Sequence, residues 1–447
     1  MKNHKSYKFR LNPTKEQTAV LVQHGGNVRF VWNKLLEFAN NEKKENGKYP
    51  NQSVLQKKIV DLKAENDFVK LGHSQPLQIN ASKLVETIHH AFKPEVISER
   101  NFRIGKAKSL KDEVKRNKAL AKALNFGFPK FKSKKDNHDS IFYPQNFKIG
   151  ESKIFLSKIG WIDCVIHRTI EGTPKFVTVT QDGNDYYVSI TSELNVVLPK
   201  KVPLEQANIV GIDVGLKTFA TLSDGTEIKN PRTLKKHLKK LKRENRRLSH
   251  KELIPTGKFS FGKEIKKPSS NRVKQLKKLQ KLHKKVRDIR HDFIHTTTHN
   301  MITKYDGFIL ETLDIQGMLD HGDKAMNRSI LDASWCKFVN VLAYKSAWNA
   351  KHFVKVSQYF PSTQRCSVCG SMMKMSIKDR EYVCKHCGAV LGRDLNSSLN
   401  LFTEGMRLLR ESNTVATTGI DACGLSAIAG RTKQEKAKQQ MPLMAFA

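Results

Sequence analysis

The first residues of the chain alternate between apolar and polar side chains, at the spacing of a β-strand. The apolar members of the pattern are Tyr7, Phe9 and Leu11. Because successive side chains of a strand point to opposite faces of its sheet, the pattern predicts a short strand with one buried face. Pro13 ends the pattern, since proline has no backbone N–H to donate to a sheet. We assign residues 1–13 to the first strand of a β-domain.

A helical pattern follows the first strand. Thr14 and Gln17 have the spacing of a capping box, in which each side chain accepts a hydrogen bond from the backbone N–H of the other residue. Apolar residues then recur every three or four positions to about residue 124, with a break in the helix predicted at Gly25-Gly26. This periodicity predicts a helical domain over residues 14–125.

Strand-like composition begins near Phe126 and continues to Pro203. β-Branched residues and turn signals alternate in this region, and Asp182-Gly183 separates two apolar stretches. An Asp-Gly pair in this setting is typical of a tight β-hairpin. The pattern predicts a β-domain over residues 126–205, which the strand at residues 5–11 would complete.

The next region predicts a second sheet, some of whose strands end in acids. Its strands are predicted at residues 209–213, 218–222, 227–228, 307–311 and 352–356. Two of them end in an acid, Asp213 and Glu311, and Asp394 opens a helix further along the chain. Carboxylates are the ligands that Mg²⁺ prefers in proteins, so three of them at one sheet edge would suit a metal site. The spacing along the chain leaves open whether they converge, and a solvated turn is the alternative for each acid.

The chain carries a large positive surplus. Its 447 residues include 80 Lys and Arg against 42 Asp and Glu, which gives a formal net charge of +38. This surplus favours a polyanionic partner such as nucleic acid, because phosphate contacts release condensed counterions. A basic ribosomal protein is the alternative, and the length of the chain makes it the weaker choice. No apolar run approaches the roughly 20 residues of a membrane span, and no apolar leader follows the basic start, so we expect a cytoplasmic protein.

Half of the surplus lies in residues 229–295, which hold 24 Lys and Arg against five Asp and Glu. Apolar residues at helical spacing predict two helices with basic faces here, joined by a loop over residues 255–270. We expect a basic face to bind phosphates, and a merely solvated face is the alternative. The candidate nucleic-acid-binding residues are Lys277, Lys278, Lys281 and Lys285.

Four of the seven cysteines form two Cys-x-x-Cys pairs that enclose 14 residues. These four are Cys366, Cys369, Cys384 and Cys387. Thiolates at this spacing are typical of a zinc ribbon, in which four sulfurs surround one Zn²⁺. Gly370 and Gly388 follow the second cysteine of each pair and permit the tight turn of a zinc knuckle. Buried thiols or a redox pair are the alternatives.

Three motifs around the acids resemble those of a known family. They are Gly211-Ile-Asp213-Val-Gly-Leu-Lys, Glu311-Thr-Leu-Asp-Ile-Gln-Gly-Met and Asp394-Leu-Asn-Ser-Ser-Leu-Asn. In their order, and with the cysteine pairs between the second and the third, they resemble the RuvC-type motifs of the transposon-encoded TnpB (OrfB) family. The resemblance covers nearly the whole chain. Gly392 and Ser397-Ser398 depart from the family pattern, but neither departure removes one of the three acids.

The resemblance implies a multidomain α+β fold. An RNase H-like (RuvC) α/β nuclease domain with a zinc-ribbon insertion would accompany a helical recognition lobe and a β-barrel wedge domain. The implied boundaries are 1–13 and 126–205 for the wedge barrel, 14–125 for the recognition domain, 206–360 and 393–411 for the nuclease domain, 361–392 for the zinc ribbon and 412–447 for a flexible C-terminal tail.

The resemblance also implies an RNA-guided DNA endonuclease related to the compact type V CRISPR effectors. Asp213, Glu311 and Asp394 would be catalytic and would hold two Mg²⁺ ions, and the four cysteines would hold one Zn²⁺. The implied partners are a guide RNA and a double-stranded DNA target, which is cut beside a short adjacent motif. The implied location is the cytoplasm or nucleoid of a prokaryote, with no membrane association.

Three other functions stay open. A nuclease-inactive, RNA-guided DNA-binding protein would be expected to have lost one of the acids. A strand-transferring transposase usually orders its acids Asp-Asp-Glu, whereas the order here is Asp213, Glu311, Asp394. A non-catalytic zinc-ribbon protein that binds RNA would leave the acids at the strand ends unexplained.

Overall fold

The computed structural model describes residues 2–133, 140–195, 199–260, 263–376 and 379–412. The predicted C-terminal tail, residues 412–447, lies outside these residues beyond Ser412. Two compact units divide the chain, Met1–Val196 and Val197–Ala447. Both units contain helices and a sheet, so the predicted mixed α/β multidomain fold is confirmed.

The first unit combines six helices with seven strands among its described residues. Its elements are β1 (Lys2–Asn12), α1 (Lys15–Asn46), α2 (Gln52–Glu65), α3 (Asp67–Lys70), α4 (Ser74–Ala91), α5 (Pro94–Lys108), α6 (Glu113–Leu124), β2 (Ser140–Tyr143), β3 (Phe147–Ile149), β4 (Lys153–Leu156), β5 (Gly160–Val165), β6 (Thr173–Asp182) and β7 (Asp185–Asn195). The predicted capping box opens α1: Gln17 N donates to Thr14 Oγ1 over 3.2 Å, and Thr14 N donates to Gln17 Oε1 over 3.1 Å.

The predicted break at Gly25-Gly26 is wrong, because α1 continues through both glycines. A glycine inside a helix costs about 1 kcal/mol relative to alanine, so local propensity alone favours a break. Tertiary contacts offset this cost. Asn27, the residue after Gly26, is buried. Its side-chain amide donates to the Phe68 carbonyl over 2.8 Å and so fixes this part of α1 to α3.

The seven strands of the first unit form one antiparallel sheet in the order β2-β6-β7-β1-β5-β4-β3. The predicted first strand and the predicted hairpin of β6 and β7 are confirmed. Tyr7, Phe9 and Leu11 lie in the buried core of this sheet, as their alternation predicts.

The predicted β-barrel is wrong for the described residues, because this sheet is open. β2 and β3 lie at its two ends, and each pairs with one neighbour. A barrel requires its end strands to pair with each other along a continuous ladder. β2 and β3 are four and three residues long, so they offer few backbone groups for closure.

The second unit contains a five-stranded sheet with its helices. Its elements are β8 (Ile209–Val214), β9 (Thr218–Leu222), β10 (Glu227–Lys229), α7 (Thr233–Ser249), β11 (Leu253–Ser260), β12 (Lys263–Pro268), α8 (Ser270–Lys304), β13 (Gly307–Glu311), α9 (Ile315–His321), α10 (Lys324–Ala333), α11 (Trp335–Trp348), β14 (His352–Val356), β15 (Glu381–Val383), β16 (Val390–Gly392) and α12 (Arg393–Ser412). The sheet order is β10-β9-β8-β13-β14. β8, β9 and β10 are antiparallel neighbours, whereas β13 is parallel to β8 and to β14. The five predicted strands are confirmed.

Helices cover both faces of the five-stranded sheet. Ile212 and Leu310 belong to the core that α8, α10 and α11 share. Ile209 and Ile309 belong instead to the core that includes Leu401 of α12. Because successive residues face opposite cores, β8 and β13 are apolar along most of their length.

The basic segment folds as two helices that pack on each other through Leu241 of α7 and Leu279 of α8. The predicted loop over residues 255–270 is wrong, because β11 and β12 pair there as an antiparallel hairpin. Pro255 and Gly257 make this hairpin hard to predict from the sequence, since both residue types are depleted in strands.

No helix in the described part of the chain combines the length and the apolarity that crossing a bilayer requires.

Candidate active site and metal centre

Two of the three candidate acids lie at the same end of adjacent parallel strands. Asp213 lies at the end of β8, and Glu311 is the last residue of β13. Ile212 pairs with Leu310, so the two acids are the next residues along their strands. Because parallel strands end at the same edge of a sheet, the fold brings both carboxyl groups to one edge.

The third acid, Asp394, lies in the first turn of α12, which packs directly on the sheet. A Cβ at Gly211 of β8 would collide with the Ser398 carbonyl oxygen of α12. A Cβ at Gly405 of α12 would overlap the side chain of Ile309, 2.6 Å from its Cδ1. These two glycines allow the backbone of α12 to approach the strands closely, and this approach sets the position of Asp394.

The three acids interact electrostatically. The pKa of Asp213 is raised to about 8, mainly because the carboxyl group is buried. The negative charges of Asp394 and Glu311 contribute to the same increase. Burial also raises the pKa of Glu311 to about 7. Arg393 opposes the shift of Asp213, and its Nη2 atom forms an ion pair with Asp394 Oδ1 over 3.1 Å. Desolvated acids that repel one another hold their charge poorly unless a cation lies among them.

The carboxylate oxygens are less tightly grouped than the cysteine sulfurs. Among the described residues, the four cysteines are the group of His, Cys, Asp and Glu side chains whose ligand atoms all lie within 4.8 Å of one another. The three acids do not meet that distance. The oxygen donors themselves are the type that Mg²⁺ binds.

The four candidate cysteines converge on one point. Cys366 Sγ lies 3.7 Å from Cys387 Sγ, and Cys369 Sγ lies 3.6 Å from Cys384 Sγ. Four sulfurs placed about 2.3 Å from one tetrahedral Zn²⁺ are about 3.8 Å apart. The sulfur separations fit that geometry, so the cluster could hold zinc.

Two backbone turns and one hydroxyl support the cysteine cluster. Gly370 N donates to the Cys366 carbonyl over 2.9 Å, and Gly388 N donates to the Cys384 carbonyl over 3.0 Å. Both glycines have left-handed backbone conformations, with φ of 77° and 71°. The Ser371 hydroxyl lies 3.2 Å from Cys384 Sγ and lowers the pKa of this thiol. A lowered pKa favours the thiolate, which is the form that binds a metal.

Two buried asparagines of α12, which sequence reasoning missed, tie the cysteine cluster to the helix that carries Asp394. Ser367 N donates to Asn396 Oδ1 over 2.9 Å, and Asn396 Nδ2 donates to the Arg365 carbonyl over 2.8 Å. Asn400 Nδ2 donates to the same carbonyl over 2.6 Å. Two asparagines one helical turn apart at the start of α12 were the available signal.

The four candidate lysines are exposed on α8: Lys277, Lys278, Lys281 and Lys285. Leu279 and Leu282 alternate with them and pack against α7. The lysines therefore lie on the solvent side of α8.

Family models match three stretches, which together cover more than half of the chain. Residues 186–321 match the OrfB_IS605 model, described as a probable transposase. Residues 335–401 match the Cas12f1-like TNB domain, and residues 1–48 match the helix-turn-helix domain of OrfB_IS605. Over these stretches the chain resembles the TnpB (OrfB) family. The TNB match includes all four clustered cysteines, whereas the residues matched as a helix-turn-helix domain fold here as β1 followed by the single helix α1.

Similar proteins occur in distant organisms. An Escherichia coli (strain K12) protein named "Putative RNA-guided DNA endonuclease InsQ" is 28% identical over 454 residues, which cover 97% of this chain and 98% of the relative. A Streptomyces pristinaespiralis protein named "Putative RNA-guided DNA endonuclease" is 28% identical and covers 90% of this chain and 89% of the relative.

Two solved structures align with the chain at low similarity. CasPhi-2 (Cas12j) bound to crRNA has a TM-score of 0.44 and 9% identity, over 90% of this chain and 98% of the other. The Cas12f1-sgRNA-target DNA complex has a TM-score of 0.30 and 14% identity, over 89% and 98%. At these scores neither alignment supports a conclusion.

Proposed function

We propose that this protein is an RNA-guided, Mg²⁺-dependent endonuclease that cleaves double-stranded DNA. It would be encoded by a transposable element and act in the cytoplasm or nucleoid. The observation that carries the proposal is the convergence of Asp213, Glu311 and Asp394 at one sheet edge. The names of the two bacterial relatives support the same activity. The net charge of +38 suits nucleic-acid partners.

The strand order of the second unit supports an RNase H-like (RuvC) nuclease domain. The central strand, β8, pairs antiparallel with β9 on one side and parallel with β13 on the other. β10 completes an antiparallel hairpin with β9, and β14 is parallel to β13. We assign residues 206–360 and 393–411 to this domain and residues 361–392 to a zinc ribbon inserted in it. The helices of residues 14–125 would form the recognition domain, and the open sheet of residues 1–13 and 126–205 would form the wedge.

The acids have complementary roles in the proposed reaction. Bound magnesium would supply Lewis-acid activation of water and of the scissile phosphate. Asp213, Glu311 and Asp394 would together hold the two Mg²⁺ ions, and Asp213 is the acid on which the charges of both others act. The Arg393 guanidinium would hold Asp394 in place through their ion pair.

The partners would occupy the basic surfaces. Lys277, Lys278, Lys281 and Lys285 would neutralise backbone phosphates of the guide RNA or of its duplex with DNA. Base pairing with the guide would supply most of the sequence specificity, while the protein would recognise a short motif beside the target.

The cysteine cluster would hold one structural Zn²⁺. Four cysteine ligands complete a tetrahedral shell and leave no open position for catalysis. The bonds from Asn396 to this module would then couple zinc binding to the position of α12 and of Asp394.

The test of this proposal uses the RNA that copurifies with the protein. That RNA is sequenced, and plasmids are prepared that carry either its complement or a scrambled sequence beside a randomised flank. We expect Mg²⁺-dependent cleavage of the matched plasmid only. Cleavage of both plasmids would exclude guidance by the RNA, and cleavage of neither would exclude the endonuclease activity.

A nuclease-inactive, RNA-guided DNA-binding protein is the second candidate. It would need the same nucleic-acid partners, which the net charge of +38 suits equally. The same experiment separates the two functions, because a binding protein would retain the matched plasmid on a filter without cutting it.

A further inference from the structure

A cavity of about 630 Å³ lies in the helical part of the first unit, and none of the candidate acids or clustered cysteines lines it. α1, α6 and the segment that follows α6 form its walls. Its volume falls within the range of about 300–1,000 Å³ that is typical of small-molecule sites. Nothing in the proposed reaction uses this cavity.

Aromatic rings form one side of the cavity. Phe131 lines it with 60% of its surface exposed. Phe128 lines it as well, and the Arg100 guanidinium lies 4.4 Å from the centre of its ring. The Phe92 ring meets Phe128 edge-on at 5.6 Å, so Phe128 is held in place. Phe131 therefore offers a free ring face beside a fixed aromatic wall.

The segment that carries these rings is fixed to α1. Trp32 Nε1 donates to the Lys130 carbonyl over 2.9 Å. Lys132 N donates to Asn33 Oδ1 over 2.8 Å, and Asn33 Nδ2 donates to the Lys132 carbonyl over 3.0 Å. Three hydrogen bonds over a few residues make the wall preformed, so a ligand would not have to order it.

Amides and ammonium groups complete the lining. Asn40 of α1 and Asn125 at the end of α6 face the cavity. Asn125 Nδ2 donates to the Ala121 carbonyl over 2.8 Å, which leaves its carbonyl oxygen for another donor. Lys118 and Lys122 lie on the exposed side of α6 at the rim. This lining combines a ring surface, hydrogen-bonding amides and positive charge.

We propose that this cavity binds one unpaired nucleotide of a single-stranded nucleic acid. Its base stacks on Phe131, Asn40 and Asn125 bond the base edge, and Lys118 and Lys122 neutralise the flanking phosphates. Aromatic faces with adjacent cations are how proteins hold single strands without reading their sequence. The inference rests on the proposed function, since the single-stranded nucleotide would belong to the guide RNA or to the DNA that the protein binds.

The probes are two single-stranded decamers, one RNA and one DNA, each with a central 2-aminopurine whose fluorescence falls when it stacks. Phe131→Ala in the full-length protein should remove the quenching and weaken binding by roughly fivefold to a hundredfold, the range for loss of one stacked base. Phe102→Ala is the matched control, because Phe102 is 67% exposed on α5 and does not line the cavity. The control should bind and quench as the unmodified protein does. The probe that shows the larger effect identifies the source of the strand.

A second variant tests the phosphate contacts. Lys118→Gln with Lys122→Gln should lower the slope of log K against log salt by about 1.4, at about 0.7 for each single-strand phosphate. Lys44→Gln with Lys57→Gln, at exposed positions outside the cavity, is the control and should lower it less.

The outcomes separate this inference from the proposed function. If the unmodified protein binds the probes but Phe131→Ala quenches them equally, the cavity assignment is overturned while the endonuclease proposal stands. If Phe102→Ala loses the quenching as well, the effect is not specific to the cavity and the assignment also fails. If the unmodified protein binds neither probe, the cavity assignment is overturned, and the plasmid-cleavage experiment alone decides the endonuclease proposal.

Discussion

Asp213 and Glu311 directly follow Ile212 and Leu310, which are paired on adjacent parallel strands. The two acids therefore lie next to each other at one edge of the sheet. Both have a raised pKa, about 8 for Asp213 and about 7 for Glu311. The folded chain therefore retains protons on these acids that the unfolded chain would release at neutral pH. Ionising these two acids at neutral pH therefore costs free energy in the folded state.

This relationship predicts how stability depends on pH. For Asp213, the folded-state pKa of about 8 lies above the ordinary value of 3.8, so the folded state binds the extra proton between these values and stability falls as pH rises through them. Asp213→Asn removes this penalty. In magnesium-free buffer we expect the variant to gain about 1 kcal/mol or more relative to the unmodified protein between pH 5 and pH 8, since one pKa unit corresponds to about 1.4 kcal/mol.

The measurement is the thermal midpoint of both proteins at the two pH values. Glu227→Gln is the control, because Glu227 is an exposed acid on the edge strand of the same sheet. Its midpoint should follow that of the unmodified protein. Parallel curves for Asp213→Asn and the unmodified protein would show that Asp213 titrates normally.

Gly211 should be intolerant of a side chain. A Cβ there would collide with the Ser398 carbonyl of α12, and overpacking of this kind costs about 1–3 kcal/mol. Gly211→Ala should therefore lower the thermal midpoint and, by displacing α12, slow cleavage. Gly392→Ala is the matched control, since no heavy atom lies within 4 Å of its Cβ position. A Gly211→Ala protein as stable and as active as the Gly392→Ala protein would contradict the packing described here.

Features that depend on nearby residues could be predicted from the sequence. Alternation placed Tyr7, Phe9 and Leu11 in a buried strand, and the spacing of Thr14 and Gln17 predicted the cap of α1. The convergence of the four cysteines was predictable for the same reason. A zinc ribbon draws its ligands from two short motifs, so the spacing within each motif carries the signal.

Features that depend on tertiary packing could not be predicted. The continuity of α1 through Gly25-Gly26 requires contacts such as that of Asn27 with Phe68, 41 residues away. Whether Asp213 and Asp394 approach each other depends on strand register and on the close packing of α12. The resemblance to a family suggested this convergence, and the residue spacing alone did not.

The cysteine cluster should hold one zinc ion per chain. Cys384→Ser removes one of four ligands and should reduce the bound zinc from about one equivalent to near zero. Cys164→Ser is the control, because Cys164 is buried in the sheet of the first unit and is not part of the cluster. Metal content is measured by atomic emission on the purified proteins. Equal zinc in both variants, or none in the unmodified protein, would refute the assignment.

The lysines of α8 should contribute to nucleic-acid affinity through charge. Replacing Lys277, Lys278, Lys281 and Lys285 with Gln should weaken binding and reduce the slope of log K against log salt by up to about 3–4, since each phosphate contact contributes about 0.7–0.9. Arginine at the same four positions keeps the charge and should restore both quantities. An unchanged slope in the Gln variant would mean that this face is only solvated.

The central claim is that Asp213, Glu311 and Asp394 act as one catalytic unit. The most direct measurement is the cleavage rate of a matched double-stranded target by the RNA-loaded protein in Mg²⁺, for Asp213→Asn, Glu311→Gln, Asp394→Asn and their pairs, with Glu227→Gln as the control. Each single change should lower the rate by roughly a hundredfold or more while target binding survives, and a second change should add little, because residues that act as a unit are not additive. Cleavage by Asp213→Asn or Asp394→Asn at near the unmodified rate would contradict the account.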